Sequence, residues 1–135
     1  MDGTVTSKDI VVAAVVFVRD GAVLTVRKRG TERFMLVGGK LEPGETPRDC
    51  AIRETLEEIG VEVRESELLG EFVGDTANEP GHTLHSTVFE AELTSEPQAA
   101  GEIDELRWVG LDEDGDDLAP MLRTSVLPLL RARQD

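Results

Sequence analysis

The sequence predicts an α/β protein of the α+β kind, a mixed β-sheet sandwiched between helices. Three observations carry that reading. Two runs rich in β-branched residues, 10–19 and 22–28, flank an Asp20–Gly21 dipeptide. Residues 47–59 hold helix signals at both ends. Strand-like runs follow, and the chain closes on apolar residues at helical spacing.

Taken in order, Asp-Gly between two alternating runs is the strongest short hairpin signal, so 10–19 and 22–28 are expected to pair. "FMLVGG" at 34–39 reads as a third short strand ending in glycines. Thr46 suits the N-cap of the next helix, Pro47 its first position, and Asp49 the positive end of its dipole. Ile52, Leu56 and Ile59 recur at i, i+4 and i+7, an apolar stripe expected to face the core. Gly60 supplies the left-handed residue that stops the helix. "VEV" at 61–63, "ELLGEFVGD" at 67–75, "HTLHSTVFEAEL" at 82–93 and "ELRWVGL" at 105–111 read as strands or strand-like segments. From about Ala119 to Arg133, Met121, Leu122, Val126, Leu129 and Leu130 stand at helical spacing, with Pro128 expected to kink or shorten that helix.

The chain of 135 residues, 39% hydrophobic, is the size of one domain, read here as 1–135. No apolar run reaches the roughly 18–20 residues of a membrane span. "IVVAAVVFV" at 10–18 is too short for one, and it lacks the basic flank and cleavage site of a signal peptide. The lone Cys50 forms no internal disulfide, which fits a reducing compartment, and the cytoplasm is expected. A net charge of −14 argues against nucleic acid polymers and anionic membranes as partners. The charge is uneven, because residues 1–40 hold seven Lys or Arg against four acids.

On the 47–59 helix, Glu54, Glu57 and Glu58 stand at i, i+3 and i+4 and so share one side. Spacing alone fits a solvated acidic face. It also fits a hard-cation site: carboxylates a few Å apart repel by about 3 kcal/mol per pair at an effective dielectric near 20. A divalent cation converts that repulsion into attraction, and oxygen ligands suit Mg²⁺ or Mn²⁺. Arg53 can pair with an acidic neighbour and fix its rotamer.

Read from Gly39, "GKLEPGETPRDCAIRETLEEIGV" resembles the Nudix box. Gly39, Glu45, Arg53, Glu54, Glu57, Glu58 and Gly60 fall in register, and Val61 fills the last aliphatic place. There are two departures. Thr55 stands where the box usually has an aliphatic residue, its methyl still expected to meet the core. Val37 stands before the glycine pair where many relatives have Pro.

The hairpin before the box and "ELRWVGLDE" after it extend the likeness to a small MutT-type Nudix protein over nearly the whole chain. The resemblance implies a mixed sheet between helices and hydrolysis of a nucleoside diphosphate linked to a group X. In that reaction water attacks phosphorus, with Mg²⁺ or Mn²⁺ bridging enzyme and diphosphate. It further implies that Glu54, Glu57 and Glu58 hold metal, that the Gly38 carbonyl completes the shell, and that Glu45 ties the loop to the helix through Arg53. The general base is Glu54 in one version of the family mechanism. In another it comes from the loop before the Trp-containing strand, where Glu102 is preferred over Glu105. Homodimers are common in the family.

For the substrate, strand alternation sends Arg27 and Arg29 to one face and Lys28 to the other. The arginine pair suits phosphate, or else solvated edge charge. Lys40, beside Gly39, is the better placed phosphate ligand. Phe34 or Phe72 could stack a purine, although core packing is the commoner use of such residues. His82 and His85 are not expected to share a metal, and "DEDGDD" at 112–117 reads as a solvated loop. A nucleoside triphosphate, an oxidised purine nucleotide included, is the leading substrate. ADP-ribose, a nucleotide sugar or a dinucleoside polyphosphate are the alternatives within the class. A nucleotide-sensing module that does not cleave is the alternative outside it.

Overall fold

Asp20 and Gly21 both adopt left-handed backbone, with φ of 53° and 75°, the pattern of a tight hairpin turn whose twist matches its strands. The computed structural model, which describes residues 9–76 and 80–134, builds outward from this turn. Strand β1 (Asp9–Val16) and the short β2 (Val18–Arg19) precede it, and β3 (Ala22–Lys28) follows. Next come β4 (Met35–Lys40), α1 (Pro47–Ile59), β5 (Ser66–Asp75), β6 (Thr83–Ala91) and β7 (Ile103–Gly110). The strands form one mixed sheet in the order β2-β3-β4-β1-β6-β5, with β7 antiparallel to β3. β1 and β6 run parallel, Ala14 opposite Val88, while β4 runs antiparallel to β1 with Gly38 opposite Ala14.

Alternation along β1 divides the interior into two cores. Ala13 and Val15 pack with Val37, Phe89, Ala51 and Ile59 beneath α1. Ala14 and Val16 pack with Val88, Leu122, Val126, Leu127 and Leu130 beneath the C-terminal helix. The sheet therefore lies between helices, the fold class that the sequence predicts. No helix among the described residues is long and apolar enough to cross a membrane.

Two expectations need correction. "VEV" alternates as a strand should, with Val61 and Val63 buried and Glu62 exposed, but it pairs with no strand among the described residues. On α1 the buried residues are Cys50, Ala51, Thr55, Glu58 and Ile59, and Leu56 is 55% exposed. Of the expected stripe, Ile59 is buried and Ile52 packs against the core, but Leu56 faces away, and part of the box face turns toward the sheet in its place. Pro128, expected to kink or shorten the C-terminal helix, is accommodated by a distortion just before it. Residues 122–126 widen into a π-helical turn in which the Leu127 N–H donates to the Leu122 carbonyl, five residues back. Helix α2 (Leu127–Gln134) continues through the proline. A widened turn is a recognised way to pass a residue that has no N–H for the preceding turn.

Candidate active site

Helix α1 starts as its sequence dictates. The Thr46 side chain accepts from the Asp49 N–H at 3.1 Å, and the Gly60 N–H closes the far end on the Leu56 carbonyl at 3.0 Å. Against its middle lie the two glycines of β4. A Cβ at Gly39 would overlap the Glu54 carboxyl group, and one at Gly38 would overlap the Ala13 carbonyl oxygen. The glycine pair therefore lets a helix carboxylate and a strand backbone touch.

Arg53 organises the acidic side chains. Its Nε and Nη2 donate to the two Glu45 oxygens at 2.7 and 2.9 Å, a bidentate fork. Nη1 donates to Glu54 Oε2 at 3.0 Å and stands 3.4 Å from Glu57, while Nη2 also reaches the Lys40 carbonyl at 3.2 Å. These hydrogen bonds raise the arginine's pKa further and, with the Glu42 N–H, hold the Glu45 carboxyl down at about 2. Loop, strand end and helix are joined through one guanidinium.

Glu58 is set apart, 6% exposed, its Oε1 accepting the Gly38 N–H at 3.0 Å. Burial pushes its carboxyl up to about 8, the Gly38 N–H and Lys28 oppose that rise, and the charges of Glu54 and Glu102 add to it. Among the described residues, no group of three or more His, Cys, Asp or Glu side chains is gathered tightly enough to hold a metal ion. The cation that Glu54 and Glu57 share here is Arg53. The donor set nevertheless fits a hard divalent ion. It is all oxygen, and Glu58 sits in a field of like charge that a cation would relieve.

The segment before β7 is seated on the end of α1. The Gln98 and Ala100 N–H groups donate to the Ile59 and Glu58 carbonyls at 3.0 and 2.9 Å. The Arg29 N–H donates to the Glu102 carbonyl at 2.8 Å, and its Nη2 to the Gly101 carbonyl at 3.1 Å. The Glu102 backbone is thereby anchored, near enough to α1 for its charge to act on Glu58. Glu105 instead pairs with Arg27.

A cavity of about 140 Å³ opens between β1, β4 and β6 and residues 119–122. Gly38, Gly39, Lys28 and Lys40 line it together with Met35, Leu84, Ser86 and Met121. Arg27 does not line it, because its guanidinium is held by Asp104 at 2.9 Å, the Thr31 carbonyl at 3.0 Å and Glu105. Arg29 is likewise engaged with the Gly101 carbonyl. Lys28, on the other face of β3, is the basic residue of this strand that enters. Alternation held that signal, since setting Arg27 and Arg29 on one side leaves Lys28 alone on the other.

Other candidates lie elsewhere. Phe34 and Phe72 pack with the core beneath the C-terminal helix and do not line the cavity. His82 approaches the Pro80 carbonyl, and His85 approaches Asp9. The 112–117 run is braced rather than merely solvated: Arg107 pairs with Glu113 and Asp117, and Arg123 with Asp114. Cys50 is buried, and burial together with the Glu45 charge lifts its thiol to about 11, far from a reactive thiolate.

A glycine-flanked helix of braced carboxylates beside a cleft in a mixed sheet defines the class. The NUDIX domain matches residues 8–129, and the chain belongs to the Nudix family, hydrolases that use divalent metal ions and act on small nucleotide-type molecules. It is 40% identical over 65 residues to a MutT-like protein of Streptomyces ambofaciens, covering 48% of this chain and 42% of that protein. It is also 40% identical over 53 residues to the diphosphoinositol polyphosphate phosphohydrolase 3-beta of Bos taurus, covering 39% of this chain and 32% of that protein. The matched stretch thus spans less than half of either relative. In three dimensions it resembles the MutT NUDIX hydrolase of Burkholderia pseudomallei, with a TM-score of 0.76 and 25% identity over 90% of this chain and 98% of the other.

Proposed function

We propose that this protein is a Mg²⁺- or Mn²⁺-dependent pyrophosphohydrolase whose substrate is a nucleoside triphosphate, converted to the monophosphate and pyrophosphate. The observation that carries the reading is the complete carboxylate set beside a cleft lined by Lys28 and Lys40, with Arg53 bracing Glu54 and Glu57 and the Gly38 N–H holding Glu58. Glu54, Glu57, Glu58 and the Gly38 carbonyl would hold the divalent ion, which neutralises diphosphate oxygens and activates water. Glu102, anchored near α1, takes the proton as the water oxygen bonds to phosphorus and the bridging P–O bond breaks. Lys28 and Lys40 offset the phosphate charge, and Gly39 permits its close approach. Arg53 positions the carboxylates, and Arg29 holds the segment carrying Glu102. Arg27 serves that segment through Asp104 and Glu105 rather than touching phosphate.

One of the two relatives is a diphosphoinositol polyphosphate phosphohydrolase by name, and X is the open variable. ADP-ribose, a nucleotide sugar and a dinucleoside polyphosphate are the competing substrates. A sensor that does not cleave would tolerate an incomplete carboxylate set, and this set is complete. The test is a phosphate-release screen over these four classes with each metal, adding pyrophosphatase or phosphatase as each product requires. Metal-dependent release from triphosphates alone is the expected result. Release from another class reassigns X, and silence with metal binding intact favours the sensor. The free Cys50 supports the cytoplasm as the compartment.

A further inference from the structure

An α-helix ends in a turn of carbonyls that its own amides cannot reach. At the end of α1 the Gly60 N–H satisfies the Leu56 carbonyl. The next carbonyls meet the segment before β7. Ala100 and Gln98 donate to Glu58 and Ile59, and Gly101 lies against the Glu57 carbonyl, where an added Cβ would stand 3.1 Å from the oxygen.

That segment is itself a tight turn. The Ile103 N–H donates to the Ala100 carbonyl at 3.0 Å, with Gly101 and Glu102 at the corners. Gly101 takes a positive φ of 58° and Glu102 does not, the pattern of a type II′ turn, which favours glycine at its first corner. Strand β3 holds the turn from the opposite side. Arg29 gives its N–H to the Glu102 carbonyl and its guanidinium to the Gly101 carbonyl. Just beyond, the β3–β7 register slips. Arg27 faces Glu105 and Lys28 faces Ile103, which leaves Asp104 as an extra residue, held by Arg27 at 2.9 Å. Such a bulge re-aims the side chains beside it. Glu102 thus stands on a short span fixed by α1 before it and by the bulge after it.

Resting on the function proposed above, we infer that Gly101 is a positioning residue for the reaction. Lacking a Cβ, it lets the turn sit directly on the end of α1. Glu102 and the helix carboxylates are then placed as one body, by contacts that need no substrate. An alanine here meets both an unfavourable φ and the Glu57 carbonyl, so the turn must shift by a few tenths of an ångström.

The test is a double-mutant cycle on Gly101→Ala and Glu102→Gln, with kcat and KM measured on ATP, GTP, CTP and UTP in Mg²⁺. Gly101→Ala alone should lower kcat on the order of tenfold and leave KM unchanged. Its Mg²⁺-induced rise in melting temperature should match wild type, because the α1 carboxylates stay in place. In the Glu102→Gln background the same alanine should cost nothing further in kcat. Arg29→Ala removes an exposed side chain from the same turn; it runs the identical cycle and decides the matter if Gly101→Ala does not fold. An unchanged kcat in Gly101→Ala overturns this inference alone, as does an equal loss with and without the Glu102 carboxylate. Loss of the Mg²⁺ response also overturns it, since the effect would then lie in the helix. A Glu102→Gln enzyme as fast as wild type removes the general base from the function beneath, and this inference with it. A wild type that cleaves none of the nucleotides overturns the proposed function and this inference together.

Discussion

Thr55 and Glu58 lie on the side of α1 that meets the sheet, and both are polar groups in an apolar place. The Thr55 methyl meets the core as its sequence position requires, but its hydroxyl is left without a partner. Thr55→Val keeps the shape and removes the unsatisfied group, so it should stabilise the protein by about 1 kcal/mol. The urea midpoint should rise with an unchanged slope; a fall would mean that the hydroxyl is satisfied. Glu58 makes a pH prediction. Its carboxyl keeps a proton up to about 8 in the folded chain, against 4.5 when unperturbed. The folded state therefore binds more protons between these values. Its stabilising contribution is complete below the lower value and is lost as pH rises through the upper. In chelator at pH 7, Glu58→Gln should be more stable than wild type, by on the order of 2–3 kcal/mol. Urea unfolding across pH 4.5–8 checks it, and a variant with the wild-type pH slope would contradict the burial argument.

At the scale of elements, the loop from Gly39 to Thr46 and helix α1 act as one unit because Arg53 grips both. Lysine keeps the charge but cannot fork between the Glu45 oxygens while reaching Glu54 and the Lys40 carbonyl. Arg53→Lys should lower kcat at least tenfold, through misplacement of the carboxylates, and change KM little. Steady-state kinetics decide, and an unchanged kcat would reduce the brace to a structural tie. Much of this unit was legible in the sequence. Thr46, Pro47 and Gly60 mark both helix ends by local chemistry, and the box residues are neighbours along the chain. The face that α1 buries was legible only in part. Leu56 is the more apolar residue, yet the sheet receives Thr55 and Glu58 because Glu58 must reach the Gly38 N–H. "VEV" misled for a related reason, since alternation reports burial but cannot report a pairing partner. The cleft was hidden as well. Lys28, Ser86 and Met121 meet only through the register of β1, β4 and β6 and the placement of the last helix, which are long-range facts.

The whole molecule carries a net charge of −14, so its stability should respond to ions in two separable ways. Simple salt screens the repulsion among exposed acids, over a length of about 10 Å at 0.1 M. NaCl should therefore raise the melting temperature of wild type and Glu57→Gln alike. Glu57 is 58% exposed beside Arg53, so its amide variant should fold normally. Mg²⁺ at matched ionic strength adds a second effect only if a site binds it. Binding to the folded state alone adds stability that grows by about 1.4 kcal/mol for each tenfold rise in Mg²⁺ above the dissociation constant. Wild type should show that logarithmic increment, and Glu57→Gln should lose most of it along with turnover. Thermal unfolding of both proteins over a Mg²⁺ series, each point paired with NaCl, reads the difference directly. An equal increment in both would mean that Mg²⁺ acts on the overall charge, and the carboxylates of α1 would then be a surface feature. An increment confined to wild type would mean that the crowding of Glu54, Glu57 and Glu58, unfavourable for the empty fold, is offset by the ion it is arranged to hold.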